Sequence, residues 1–184
     1  MDERIDIVDS EGIPTGKTAL KSEIHKNGWY HNTIHLWLYN ANNEILLQQR
    51  SHKKVIYPLL WDVSVAGHID AGESFIEAAL RETKEEIGLQ LKADDLVKIG
   101  TRLHKSIYND GAIKDFEFHQ IYISEIKVNL EDLTPQKDEV EALKFVSFKD
   151  FENLLANSKN NSHFIASNSS YYKFVLNHIK KQYY

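Results

Sequence analysis

Three glutamates, Glu82, Glu85 and Glu86, stand at i, i+3 and i+4 in a segment that runs from Ser74 to Ile87. On a helix they share one side, within about 100° of one another. Each like-charged pair at that spacing costs about 0.2–0.5 kcal/mol, and the C-terminal end of a helix dipole disfavours anions further. A segment selected for helix stability alone would not collect them there. A divalent cation reverses the sign of both effects, because hard cations prefer carboxylate oxygen. The competing reading is a solvated acidic face relieved by Arg81 and Lys84. Ile76, Leu80, Thr83 and Ile87 fall in a stripe roughly 60° wide, expected to face the core with the glutamates opposite. The helix also carries its own limits: Ser74 and Glu77 match a capping box, and Gly88 sits where a helix stops.

The spacing around this helix decides between the two readings. Gly67, five residues, Glu73, seven residues, then Arg81-Glu82-Thr83-Lys84-Glu85-Glu86-Ile87-Gly88-Leu89 resembles the Nudix box, G-x5-E-x7-R-E-U-x-E-E-x-G-U. Seven named residues at usage near 7% each coincide by chance about once in 10⁸ windows. Thr83 departs from the box, which prefers a large aliphatic residue there, but threonine keeps the β-branch and most of the volume. The resemblance implies an α/β (α+β) fold, a Nudix-type α/β/α sandwich with a mixed central sheet. It also implies a hydrolase in which one to three Mg²⁺ or Mn²⁺ ions assist water attack on a phosphorus of a nucleoside diphosphate derivative. By the same resemblance Glu82, Glu85 and Glu86 are the metal carboxylates, and the Gly67 carbonyl is a further ligand. Arg81 orients a glutamate, and Glu73 braces the junction of loop and helix.

From His25 to Glu86 the chain is also similar to a particular branch of that superfamily, the isopentenyl-diphosphate isomerases and their hydrolase cousins. His31, Trp37, Asn40, Leu46, Arg50, Lys54, Pro58, Trp61, Ser64, Gly67 and His68 fall where that branch has the same residues. The isomerases build a metal site from three histidines and an acidic pair. His25, His31 and His68, with Asp115 and Glu117, are the matching candidates, the match at His25 being one residue out of step. The isomerases also need a cysteine immediately before the box glycine. That position is Ala66, and the chain has no cysteine to stand in for it. Alanine cannot move the proton of an allylic isomerisation, so hydrolysis is the expected reaction. A noncatalytic nucleotide- or metabolite-sensing module is the alternative of a different class, opposed by the complete carboxylate set.

Two further segments supply groups that hydrolysis would need. Gln48-Gln49-Arg50-Ser51-His52-Lys53-Lys54 is the basic stretch near the box. A guanidinium fork and an ammonium suit a diphosphate, and the isomerase-like branch implies diphosphate contacts at Arg50 and Lys54. The water-activating base is either a box glutamate, Glu82 or Glu85, or a glutamate before the last core strand, where Glu139 lies. His52, His104, His119, His163 and His178 carry no such signal and read as structural.

The elements that must position these groups follow from periodicity and turn residues. Strands are expected over 4–8, 32–39, 44–49, 61–66, 96–103, 116–126 and 143–147, with 32–49 forming a hairpin. Helices are expected over 74–87, 148–156 and 171–181. A single domain over 1–184 is expected, with a strand and hairpin extension at 1–30 and a loop and helix at 157–184. The formal charge of −5 argues against binding a nucleic acid polymer while leaving room for a local basic pocket and a small diphosphate substrate. No apolar run approaches the ~20 residues of a membrane span, and Met1-Asp2-Glu3-Arg4 does not open a signal peptide. A cytoplasmic location is the expectation, and a homodimer is compatible with the superfamily.

Overall fold

The computed structural model describes residues 2–183, so the two terminal positions of the expected domain, 1 and 184, lie outside the described residues. The chain order is β1 (Arg4–Val8), β2 (Pro14–Leu20), α1 (Lys21–Asn27), β3 (Tyr30–Asn40), β4 (Glu44–Arg50), β5 (Trp61–Asp62) and β6 (Val65–His68). Then follow α2 (Phe75–Ile87), β7 (Val97–Tyr108), β8 (Ile113–Glu125), β9 (Val140–Ser147), α3 (Phe148–Ala156) and α4 (Ser169–Lys180). Among the described residues the strands form one mixed sheet, parallel only between β3 and β8.

Alternation along β3 sets the layers, because successive side chains of a strand point to opposite faces. Ile34, Leu36 and Leu38 pack with Leu46, Val65, Ala78, Ala79 and Ile87 under α2. Trp37 and Tyr39 face the other way, onto Phe151, Tyr172, Val175 and Ile179 of α3 and α4. Each such side chain contributes about 1.5–3 kcal/mol by leaving water. Helices on both faces of a mixed sheet make the expected α/β/α sandwich.

Register then does the positioning. β3 runs beside β8 with His31 opposite Glu117 and Thr33 opposite His119. On its other edge β3 pairs with β6, placing Thr33 opposite His68 and His35 opposite Ala66. Groups separated by more than eighty residues therefore meet at one end of the sheet.

The structure departs from the sequence expectation in three places. The strand expected over 61–66 is two strands, β5 on β4 and β6 on β3. Ser64 sits at the break, its hydroxyl donating to the Leu46 carbonyl at 2.6 Å and accepting from the Leu38 amide at 2.8 Å, so it ties both directions of pairing together. The edge strand β2 and the short helix α1 give no strong periodic pattern: β2 contains Pro14 and Gly16, and α1 buries only Ile24. Finally, α2 does not hold all three glutamates away from the core. Glu82 and Glu86 are buried along with Ala78, Ala79, Thr83 and Ile87, and only Glu85 is exposed. The reason is local. At Gly67 a Cβ would lie 2.1 Å from Glu82 Cδ, so the missing side chain is the space that lets Glu82 turn inward.

Candidate active site

Helix α2 begins and ends as its sequence requires. Ser74 accepts the Glu77 amide while Glu77 caps the Ser74 amide, and Gly88 closes the helix in a left-handed conformation at φ 73°. Arg81 ties it to the preceding loop. Its guanidinium donates to both Glu73 oxygens at 2.9 and 2.8 Å, to the His68 carbonyl at 2.9 Å and to Glu82 at 2.9 Å. A weaker contact reaches Glu85 at 3.2 Å. Glu73 in turn accepts the Asp70 amide. Glu86 accepts Gln48 Nε2 at 2.8 Å and the Ala66 amide at 3.3 Å. Burial lifts Glu86 to about 7 against those hydrogen bonds, with Glu82 adding to the rise. Burial raises Glu82 as well, although Arg81 opposes it. Burial thus makes it costly for both carboxylates to be charged at once, and a proton or a cation would relieve that cost.

The histidines meet on the other side of the same cleft. His25 from α1, His31 from β3, His68 from β6 and Glu117 from β8 each offer one ligand atom, and these atoms lie within 4.8 Å of one another. His25 and His68 approach Nε2 to Nε2 at 3.3 Å, and His31 Nε2 lies 3.4 Å from Glu117. His31 Nδ1 is turned to the Trp29 carbonyl at 3.2 Å, which leaves Nε2 buried without a hydrogen bond. Asp115 is not one of the four convergent ligands. It lies behind His25, 3.3 Å from Nδ1, and against its burial His25, then Glu117 and His104, pull it down to about 2. Burial raises Glu117, with Asp115 adding to the effect.

Arg50, Lys54 and Glu139 form the rim. Arg50 donates to the Ile56 carbonyl at 3.1 and 2.9 Å, bracing the loop that follows β4. Lys54 is paired with Glu139. Around that pair, Lys53 meets Asp138, His52 meets Glu141 at 2.7 Å, and the Ser51 amide donates to the Glu139 carbonyl. The acidic loop is anchored in turn to the end of α2, where the Gln136 amide donates to the Glu86 carbonyl at 2.8 Å. The basic and acidic loops are thus one unit fastened to the helix of glutamates.

One cleft of about 310 Å³ is lined by Gly67, Glu82, Glu85, Glu86, Arg50, Lys54, Glu139, His25, His68, Asp115 and Glu117. Glu73 and Arg81 lie beneath it as a brace, and His31 is wholly buried behind it. Sequence reasoning missed Gln48, Gln136, Glu3, Lys21 and His35, which hold or line the same space. Gln48 lies within the basic stretch, though without a role there, whereas nothing in the linear pattern marks the other four.

Comparison with known proteins identifies the family of the chain. The NUDIX domain model matches residues 29–167. Nudix hydrolase 3 of Arabidopsis thaliana is 37% identical over 158 residues, covering 84% of this chain, although the match spans only 20% of that longer protein. An uncharacterized Nudix hydrolase of Clostridium acetobutylicum is 36% identical over 159 residues, covering 85% of this chain and 75% of its own. An isopentenyl-diphosphate Delta-isomerase of Cutibacterium acnes is 27% identical, over 83% of this chain and 78% of its own. A crystal structure from Deinococcus radiodurans superposes with a TM-score of 0.67 at 18% identity, covering 93% of this chain and 98% of that one. The chain belongs to the NUDIX family, as a Nudix-type hydrolase domain of a branch related to the isopentenyl-diphosphate isomerases.

Proposed function

We propose that this cleft hydrolyses a diphosphate linkage in a nucleoside diphosphate derivative or a related small molecule, by attack of water on phosphorus. The observation that carries the reading is the convergence of Glu82, Glu85 and Glu86 with Gly67, Arg50, Lys54 and Glu139 on one cleft. Glu82 and Glu86 suit Mg²⁺ or Mn²⁺, because both are carboxylates raised above the ordinary range by burial, and a hard cation would offset the cost of ionising them. Such an ion lowers the pKa of bound water and neutralises phosphate charge. The remaining work belongs to the chain. Arg81 holds Glu82 in place while Glu73 fixes Arg81. Arg50 and Lys54 grip the diphosphate. A diphosphate competes with Glu139 for Lys54 and so frees that carboxylate, at the rim of the cleft, to take a proton from water. Glu82 and Glu85 are the other candidate bases.

His25, His31, His68 and Glu117 are proposed as a second metal site. The supporting observation is the buried Nε2 of His31, unpartnered and facing a carboxylate. Nitrogen-rich donors suit a transition metal better than Mg²⁺. Ala66 weighs against isomerisation, since it lines the cleft with no proton to exchange. The test is incubation with Mg²⁺ or Mn²⁺ and a panel of nucleoside and prenyl diphosphates, scoring phosphate release and double-bond migration. Phosphate release that Glu86→Gln abolishes is the expected result. No turnover by the wild type across the panel would favour a sensing module, and double-bond migration would favour an isomerase.

A further inference from the structure

His35 lies outside both carboxylate and histidine clusters, yet its ring lines the cleft and its residue pairs across strands with Ala66, whose amide holds Glu86. Its Nδ1 lies 2.7 Å from the Tyr171 hydroxyl, and the same hydroxyl accepts Trp37 Nε1–H at 2.8 Å. Those contacts fix the protons. Indole nitrogen only donates, so Trp37 occupies one lone pair of the Tyr171 oxygen. If His35 Nδ1 also donated, the hydroxyl proton of buried Tyr171 would have no acceptor among the described residues, which is costly. Tyr171 therefore donates to Nδ1, and the proton of His35 sits on Nε2. That nitrogen has no hydrogen-bond partner among the described residues, and it is not among their buried unpaired atoms, so it has access to the cleft.

The ring is also held in orientation and in charge. His119 stacks on it with centroids 3.9 Å apart, and Arg102 sits 5.0 Å above the Tyr171 ring. Burial, then His104, Arg50 and Arg102, push His35 down to about 3, against a small opposing effect of Asp115, so it is a neutral donor. Arg50 and Glu86 line the same cleft as His35, and Glu86 accepts the amide of Ala66, the cross-strand partner of His35.

We propose that His35 is a substrate-binding residue whose Nε2–H, locked in that tautomer by the Trp37–Tyr171 relay, donates to a phosphoryl oxygen of the bound diphosphate. Trp37 and Tyr171 are positioning residues that reach substrate only through this ring. The proposal rests on the reading of the cleft as a diphosphate site. A fixed neutral donor favours a phosphoryl oxygen without adding charge, and its direction, unlike that of Lys54, cannot wander.

The test uses the full chain and Mg²⁺ with inorganic pyrophosphate as probe. Long-range ¹H–¹⁵N correlation on ¹⁵N-histidine protein should show His35 as a single Nε2–H tautomer whose Nε2 resonance moves when magnesium pyrophosphate is added. Tyr171→Phe should release the lock and give both tautomers. In binding titrations, His35→Phe, which keeps a stacking ring, should weaken magnesium pyrophosphate roughly tenfold or more. His35→Gln, which restores a donor near the Nε2 position, should recover to within about threefold. An Nδ1–H tautomer in the wild type, or pyrophosphate binding unchanged in His35→Phe, overturns the proposal alone. Absence of magnesium pyrophosphate binding by the wild type overturns it together with the reading of the cleft.

Discussion

The two candidate cation sites lie in one cleft but are built in opposite ways. The glutamates come from a single helix over five positions, and their spacing is enforced by the helix itself. The histidine set draws one ligand each from α1, β3, β6 and β8, and exists only because strand register aligns them. The first presents hard oxygen, with Glu82 and Glu86 buried and Glu85 exposed. The second is nitrogen-rich, with His31 and Glu117 buried. The contrast teaches that a site within one element is encoded by spacing, whereas a site between elements is encoded by topology. The chemistry differs accordingly: exchangeable Mg²⁺ or Mn²⁺ suits the former, and a retained transition metal suits the latter.

The comparison breaks first at Glu86. Glu86→Gln should lower kcat with Mg²⁺ on the order of 10³-fold on the best substrate of the panel, with the fold intact by circular dichroism. An unchanged kcat would move the catalytic cation away from α2. The next effect is on stability. Glu86 rises from 4.5 to about 7 on folding, so the folded chain holds this proton more tightly than the unfolded chain does. Metal-free protein should therefore lose stability as pH climbs from about 4.5 to about 7 and level off above, by up to about 3 kcal/mol. Urea titrations in EDTA should show this slope, and both Mg²⁺ and Glu86→Gln should flatten it. A smaller effect is expected at the other cluster: His31→Gln should weaken Zn²⁺ or Mn²⁺ binding in calorimetry about 10–100-fold. Mg²⁺-supported turnover should change much less, and equal loss of both would merge the two sites into one. Smallest is Gln48→Ala, which removes a hydrogen bond to Glu86 and should cost roughly tenfold in apparent Mg²⁺ affinity, read from turnover against metal concentration.

How much was legible in the sequence follows the same division. The limits of α2, the hairpin of β3 and β4, and the helix α3 carry local signals, because caps, turn residues and periodicity act within a few positions. The placement of Glu82 and Glu86 was not legible from the helical wheel. The wheel identifies a face, but the bare Gly67 beside Glu82, and Gln48 and the Ala66 amide on Glu86, turn that face inward. His35 was invisible for a related reason. One histidine in an apolar strand has no pattern, and its tautomer depends on Tyr171, 136 positions away. The break at Ser64 was equally hidden, since a hydroxyl bridging two strands leaves no periodic trace.

The family match begins at residue 29, yet Glu3, Lys21 and His25 stand on the cleft wall before it. The first hairpin and α1 thus supply part of the cleft wall from outside the matched segment. Grafting residues 2–28 onto another domain of this family would transfer one candidate histidine ligand and the charges of Glu3 and Lys21 while leaving the box glutamates untouched. A change in that hairpin and helix would alter one candidate metal ligand and two charges at the cleft while α2 stays as it is.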